Sequence, residues 1–255
     1  MSNVIVIASE KGGVAKTTTA LSLGGALVES GQEVLMIDLD PQASLTLSLG
    51  IPPHTIRRSV ADVLINSVSP VSVSRETIIP GLDLVPSNSE MELAERFLPV
   101  RRDYKNILRD IIRDIQLYDT IIIDCPPSLG AVTSNAIVAA DLLCIPTIPE
   151  YLSVYALRNL LNLIRSIREK NNPKLKYRIL VTMLDQRINS HLALNKQIRS
   201  TFKEAVFKTI IQVDTRLRDA AIAGYPITHF ASKSRSAEQY RALVQELGQY
   251  VRSEK

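Results

Sequence analysis

The chain has 255 residues, 45% of them hydrophobic and 22% charged, with a formal net charge of +4. That length is enough for a substantial core and fits one domain over residues 1–255. No apolar run reaches the roughly 18 residues of a membrane-spanning helix, and the N-terminus lacks a basic stretch leading into a cleavable apolar segment, so a cytoplasmic protein with no membrane partner is expected.

The first apolar run, NVIVIA (3–8), is followed by SEKGGVAKTTTA (9–20) and a helix over 17–30 that Gly31 is placed to end. EVLMID (33–38) reads as the next strand. Residues 51–80, rich in Pro, Ser and Val, read as an irregular excursion with a short helix near 60–65, before a strand at LDLVP (82–86). Tyr104, Ile107, Leu108, Ile111, Ile112 and Ile115 have the spacing of a core-facing helical stripe. Further strands follow at DTIIIDCPP (119–127), DLLCIP (141–146), YRILVTM (177–183) and VFKTII (206–211), with a helix over 189–204 between the last two. Ser234 or Ser236 is placed to cap a final helix with the stripe Tyr240, Leu243, Val244, Leu247 and Val251. Apolar runs without polar alternation, separated by helical segments, predict an α/β fold: a doubly wound, mostly parallel sheet with helices on both faces. Cys125 and Cys144 sit inside strands without C-x-x-C spacing and are read as buried, reduced thiols.

The segment 9–20 is an imperfect match to G-x-x-x-x-G-K-[ST]. Its glycines are Gly12 and Gly13, Glu10 and Ala15 stand where that pattern has glycine, and an additional lysine, Lys11, precedes the turn. Strand, tight turn and helix are nevertheless the setting of a phosphate-binding loop, in which backbone N–H groups and the helix N-terminus face an anion. In that reading Lys16 contacts the β- and γ-phosphates, Thr17 ligates Mg²⁺ and Thr18 reaches the α-phosphate. The alternative is a tight turn with a surface lysine. Asp38 and Asp40 at one strand end, and Asp124 at another, weigh against it: acidic residues emerging beside the loop are what a polyphosphate with Mg²⁺ requires.

KGGVAKTTTA (11–20), VLMIDLDPQASLTLSLGI (34–51), YDTIIIDCPPSLG (118–130), NAIVAADLLCIPTIPEY (135–151), VTMLDQR (181–187) and RLRDAAIAGYPI (216–227) resemble the ParA/MinD family of deviant Walker ATPases, most closely its ParA/Soj branch. The resemblance spans nearly the whole chain and implies a P-loop NTPase fold of the SIMIBI type. It implies ATP and Mg²⁺ bound by the loop 11–18, Val14 and Ala15 included, and an ATP-bound homodimer in which Lys11 reaches the partner's phosphates. It further implies that Asp38 and Asp40 divide the catalytic work, Asp40 orienting the attacking water and Asp38 nearer the Mg²⁺ shell or the two exchanged, with Asp124 beside the ion and the γ-phosphate and Glu150 near the partner's ribose. Ala15 departs from the family, which usually has glycine there. So does Ile211 to Leu217, where the family commonly has I-P-R-N-V-R-L.

Charge is uneven along the chain. Residues 1–150 carry 11 Lys+Arg against 18 Asp+Glu, whereas residues 151–255 carry 19 against 8. Lys196, Arg199 and Lys203 have the spacing of one helix face, with Arg187 before that helix and Arg216 and Arg218 after it. A solvated helix face gives the same pattern as a polyanion site. The resemblance favours the second, because Arg187 and Arg218 match positions used for non-specific DNA binding, and it implies a nucleoid-associated protein whose slow hydrolysis is stimulated by a ParB-like adaptor. A MinD-like membrane-associated ATPase is the alternative, although the ending QELGQYVRSEK carries only a short stripe and mixed charge.

Overall fold

The structure, a computed structural model, describes residues 2–251. Among these residues eight strands form one sheet: β1 (Asn3–Ile7), β2 (Val34–Asp38), β3 (Arg75–Glu76), β4 (Leu82–Val85), β5 (Thr120–Asp124), β6 (Leu142–Thr147), β7 (Lys176–Leu184) and β8 (Val206–Gln212). Their order is β3-β4-β2-β5-β1-β6-β7-β8. All pairs are parallel except β3 with β4. The seven strands read from the sequence are all present; β3, two exposed residues long, has no pattern to announce it.

Among the described residues twelve α-helices accompany the sheet: α1 (Lys16–Glu29), α2 (Ser44–Leu47), α3 (Val60–Asn66), α4 (Pro70–Val73), α5 (Met91–Phe97), α6 (Ile107–Ile112), α7 (Ala131–Ala139), α8 (Tyr151–Lys170), α9 (Asn189–Phe202), α10 (Arg216–Ala223), α11 (Ile227–Phe230) and α12 (Arg235–Val251). Alternate strand residues serve two cores. Val4, Val6, Leu35 and Ile37 pack with residues of α3 to α9, while Ile5, Ile7, Val34 and Met36 pack with α1, α2 and α10 to α12. Covering both faces is why these strands lack polar alternation. No helix of the described residues is long and apolar enough to cross a membrane.

Three expectations are sharpened. The stripe from Tyr104 begins as a 3₁₀ turn, and α6 itself starts at Ile107; Leu108, Ile112 and Ile115 are its buried members. Ser234, not Ser236, caps α12, its hydroxyl accepting from the Ala237 N–H at 3.1 Å; Ser236 instead donates to Asp214 at 2.9 Å. The helix from Asn189 ends at Phe202, because Lys203 turns to φ 44°. Lys203 therefore leaves the helical face it was expected to share with Lys196 and Arg199.

From β1 the chain runs to β2, two places away, returns through β5 and then crosses to β6 on the opposite flank of β1. The connections diverge around β1, and the crevice beyond the carboxyl ends at such a point is where open α/β sheets take ligands. β2, β5 and β1 are consecutive neighbours whose last residues align: Asp38 pairs with Asp124, and Ile7 with Asp124.

Candidate nucleotide site

The turn leaving β1 is shaped by two left-handed residues, Gly13 at φ 73° and Ala15 at φ 65°, ψ 36°. Such alternation curls the backbone into a concave nest of N–H groups, here at the N-terminus of a 14-residue helix whose first turn holds no acidic residue. Glycine enters this region freely; alanine does so against a Cβ clash. The turn is anchored from β7, where the Thr182 hydroxyl donates to the Val14 carbonyl at 3.0 Å. A second anchor comes from α8, where Asn159 donates to both Glu10 carboxylate oxygens at 3.0 and 3.2 Å.

The two lysines occupy different surroundings. Lys16 is 8% exposed and folds back over the turn, its Nζ donating to the Lys11 carbonyl at 3.3 Å. Burial pushes its ammonium below the ordinary range, and the Asp124 carboxylate opposes that shift. Lys11 is half-buried, and among the described residues its ammonium has no ion-pair partner. Thr18 lies half-buried in the first turn of α1.

Asp38 and Asp124 are both fully buried side by side. Asp38 Oδ2 accepts from the Thr46 hydroxyl at 2.7 Å and the Thr46 N–H at 2.9 Å, while Oδ1 accepts from the Asp40 N–H at 3.1 Å. Burial lifts its pKa to about 6 against those hydrogen bonds. Asp124 is raised well above the carboxylate range by burial and then by the neighbouring Asp38. Its Oδ2 accepts from the Thr17 hydroxyl at 2.7 Å; Oδ1 is buried without a hydrogen-bond partner among the described residues. Asp40 is half-buried, one carboxylate oxygen accepting from the Gln42 N–H at 2.9 Å.

Thr46 and Ser87 join this group without having been legible as site residues. Thr46 Oγ1 also accepts from the Ser87 N–H at 3.0 Å, and the Ser87 hydroxyl donates to the Asp40 carbonyl at 2.7 Å. The end of β4 and the short helix α2 thus hold the Asp38–Asp40 turn from outside. Asp38 was expected near an ion; its Oδ2 is engaged by Thr46 of α2 and its Oδ1 by the Asp40 N–H of its own turn.

An orphaned buried acceptor next to a hydroxyl, flanked by a second buried carboxylate and a lysine, fits Mg²⁺. Among the described residues no group of three or more His, Cys, Asp or Glu side chains is set to hold a metal. That also suits Mg²⁺, which keeps waters and leans on substrate phosphates instead of an all-protein cage. Thr17 and Asp124 are the residues that would hold it.

The remaining expected residues lie apart. Glu150 is exposed just before α8. Arg187 follows β7, its side chain 86% exposed yet bound to both oxygens of Asp185 at 2.9 and 2.7 Å. Arg216 makes the same two-pronged pair with Asp214, both contacts 2.9 Å. These two turns adjoin, since the Val213 N–H donates to the Leu184 carbonyl at 3.2 Å. Arg199 is half-buried and bonded to Asn195 and the Lys208 carbonyl, whereas Lys196, Lys203 and Arg218 are exposed.

A lysine-bearing turn at the sheet's switch point, faced by buried carboxylates and a hydroxyl, defines a phosphate-loop nucleotide hydrolase. Comparison with known proteins narrows this class. Residues 2–177 match the family model described as an AAA domain. The Bacillus subtilis (strain 168) sporulation initiation inhibitor protein Soj is 36% identical over 249 residues, covering 97% of this chain and 98% of Soj. The Caulobacter vibrioides chromosome partitioning protein ParA is 35% identical over 250 residues, covering 96% of this chain and 93% of that one. The solved structure of cobyrinic acid a,c-diamide synthase from Mycobacterium smegmatis with bound ATP analog and magnesium is similar with a TM-score of 0.88 at 32% identity, covering 99% of this chain and 96% of that one. The chain belongs to the ParA/MinD family of deviant Walker ATPases, in its ParA/Soj branch.

Proposed function

We propose that this chain is a ParA-type partition ATPase, a single domain that binds ATP and Mg²⁺, pairs face to face with a second copy when ATP-bound, and grips DNA without sequence preference until hydrolysis releases it. The observation that carries the reading is the division between the lysines: Lys16 is buried and bonded back to its own loop, while Lys11 is half-buried with no ion-pair partner among the described residues.

Thr17 and Asp124 are the residues that would hold Mg²⁺, which would supply charge neutralisation to the triphosphate. The loop N–H groups and Lys16 hold the phosphates. Asp40, held by Asp38, orients the attacking water. Lys11 from the second copy stabilises the charge that develops on the transferred phosphoryl group, so hydrolysis waits for dimerisation. Glu150 lies near the partner's ribose. Arg187, Lys196, Arg199, Lys203, Arg216 and Arg218 supply the DNA contacts through phosphate neutralisation, which pairing doubles. A partner protein of the ParB kind accelerates hydrolysis and so sets the lifetime of the DNA-bound state, near the nucleoid.

The test is Lys11→Ala. Hydrolysis and ATP-driven dimerisation are lost in size-exclusion and phosphate-release assays, while monomeric ATP binding is retained; wild-type turnover in this variant refutes the two-lysine reading. The likeness to an amide synthase offers a second reading, that ATP activates a carboxylic acid. DNA-stimulated turnover with no carboxylic acid present decides against it.

A further inference from the structure

We infer that Glu95 is a positioning residue for Asp124, linking α5 to the phosphate site. The inference rests on the role proposed above for Asp124. Residues 125–130 leave Asp124 at the end of β5 and lead into α7, and Gly130, at the N-cap, has no side chain with which to cap that helix. The cap comes from a separate helix: the Glu95 carboxylate accepts from the Ala131 N–H at 2.7 Å and from the Val132 N–H at 2.9 Å. Both bonds are charge-assisted, and the carboxylate meets the positive end of the α7 dipole. A Cβ added at Gly130 would collide with Glu95 Oε1, so glycine is what lets the carboxylate reach the backbone.

The arrangement differs from an ordinary cap in what it joins. A cavity of about 390 Å³ lies between α5 and both acidic turns, lined by Leu39 and Pro41 from one, Pro126 and Ser128 from the other, and Met91 and Glu95 from α5. Strand pairing fixes Asp124 from one side. On the other side its loop is held at the far end by Glu95. A shift of that loop that reaches Ala131 and Val132 carries Glu95 and α5 with it, or breaks two charged hydrogen bonds. By linkage, an event that moves α5 then acts back on the phosphate site with the same coupling.

Hydrogen exchange on the full chain, with Mg²⁺ and either ATPγS or ADP, tests this directly. Exchange at residues 91–97 and at Ala131 and Val132 is expected to differ between the two nucleotides by at least about fivefold. Glu95→Ala removes that difference at 91–97 and lowers kcat about tenfold with KM for ATP little changed, the effect of losing a charged hydrogen bond. Gly130→Ala, which displaces the carboxylate while leaving α5 intact, does the same, and Glu95→Gln, which keeps one acceptor, falls between. Wild-type kcat and exchange in Glu95→Ala overturn the inference. If that variant does not fold, the wild-type comparison decides alone, and identical exchange at 91–97 in the two nucleotides overturns it. A wild-type chain that fails to bind ATPγS overturns the ATPase reading and this inference together; one that binds and hydrolyses ATP without the α5 response overturns only the inference.

Discussion

Replacing Ala15 by glycine relieves a strain that the structure locates at one torsion. Ala15 sits at φ 65°, ψ 36°, directly before α1. The left-handed conformation costs an L-residue about 1–2 kcal/mol through the clash of Cβ with the following carbonyl. Glycine removes that cost, but its freer unfolded chain takes back about 0.4–1 kcal/mol. The net expectation for Ala15→Gly is a gain of about 1 kcal/mol, which for a domain of this size raises Tm by roughly 2–4 °C. Ala15→Val goes the other way, because a branched Cβ is still worse in this region. Thermal unfolding of the nucleotide-free protein, followed by circular dichroism or calorimetry, orders the three as Gly above Ala above Val. Equal midpoints, or a lower one for glycine, refute the argument that Ala15 is held in a strained turn.

Other expectations test the surrounding groups. Thr46→Val removes the hydroxyl that donates to fully buried Asp38, costing about 1.5–3 kcal/mol for a hydrogen bond to a charged group; kcat falls with ATP binding kept, and Thr46→Ser restores both stability and rate. Asp40→Ala accumulates an ATP-bound dimer on size-exclusion, and a species that stays monomeric with ATP contradicts the role given to Asp40. Affinity for duplex DNA falls by about 10³ between 50 and 200 mM salt if the dimer makes roughly six phosphate contacts, as a filter-binding series would read. Insensitivity to salt removes the phosphate-neutralisation mechanism.

The sheet was legible because burial on both faces leaves a simple trace, uninterrupted runs such as VLMID and TIIID ending in aspartate. Lys11, Lys16 and Thr17 could be singled out as candidates because the pattern of a phosphate loop is set by fixed spacing within one local turn. Thr46, Ser87 and Glu95 could not. Each acts on a partner brought near only by the fold: Ser87 reaches Asp40 across 47 residues, and Glu95 reaches Ala131 across 36. A hydroxyl in ASLTLSLG or a glutamate in MELAERF carries no local sign of such a bond. Which of the two carboxylates α2 captures was equally hidden: Thr46 binds Asp38, while Asp40 is left half-buried. The helix from Asn189 was drawn two residues too long because Lys203 has an ordinary helical residue type and leaves the helix through its backbone torsion alone.

The adjoining pairs Asp185–Arg187 and Asp214–Arg216 give the basic face a particular economy of attachment. Each guanidinium is already satisfied by a carboxylate two residues before it, in the same two-pronged geometry that a phosphate would offer. Under the proposed function, a nucleic acid arriving there would trade one anion for another, so a single contact would gain little and only many trades made together would hold. Release would be correspondingly easy: each arginine has its own aspartate two residues away, so a proposed dimer that came apart would leave no stranded charges behind. Such exchange would suit repeated catching and letting go better than it would suit staying bound.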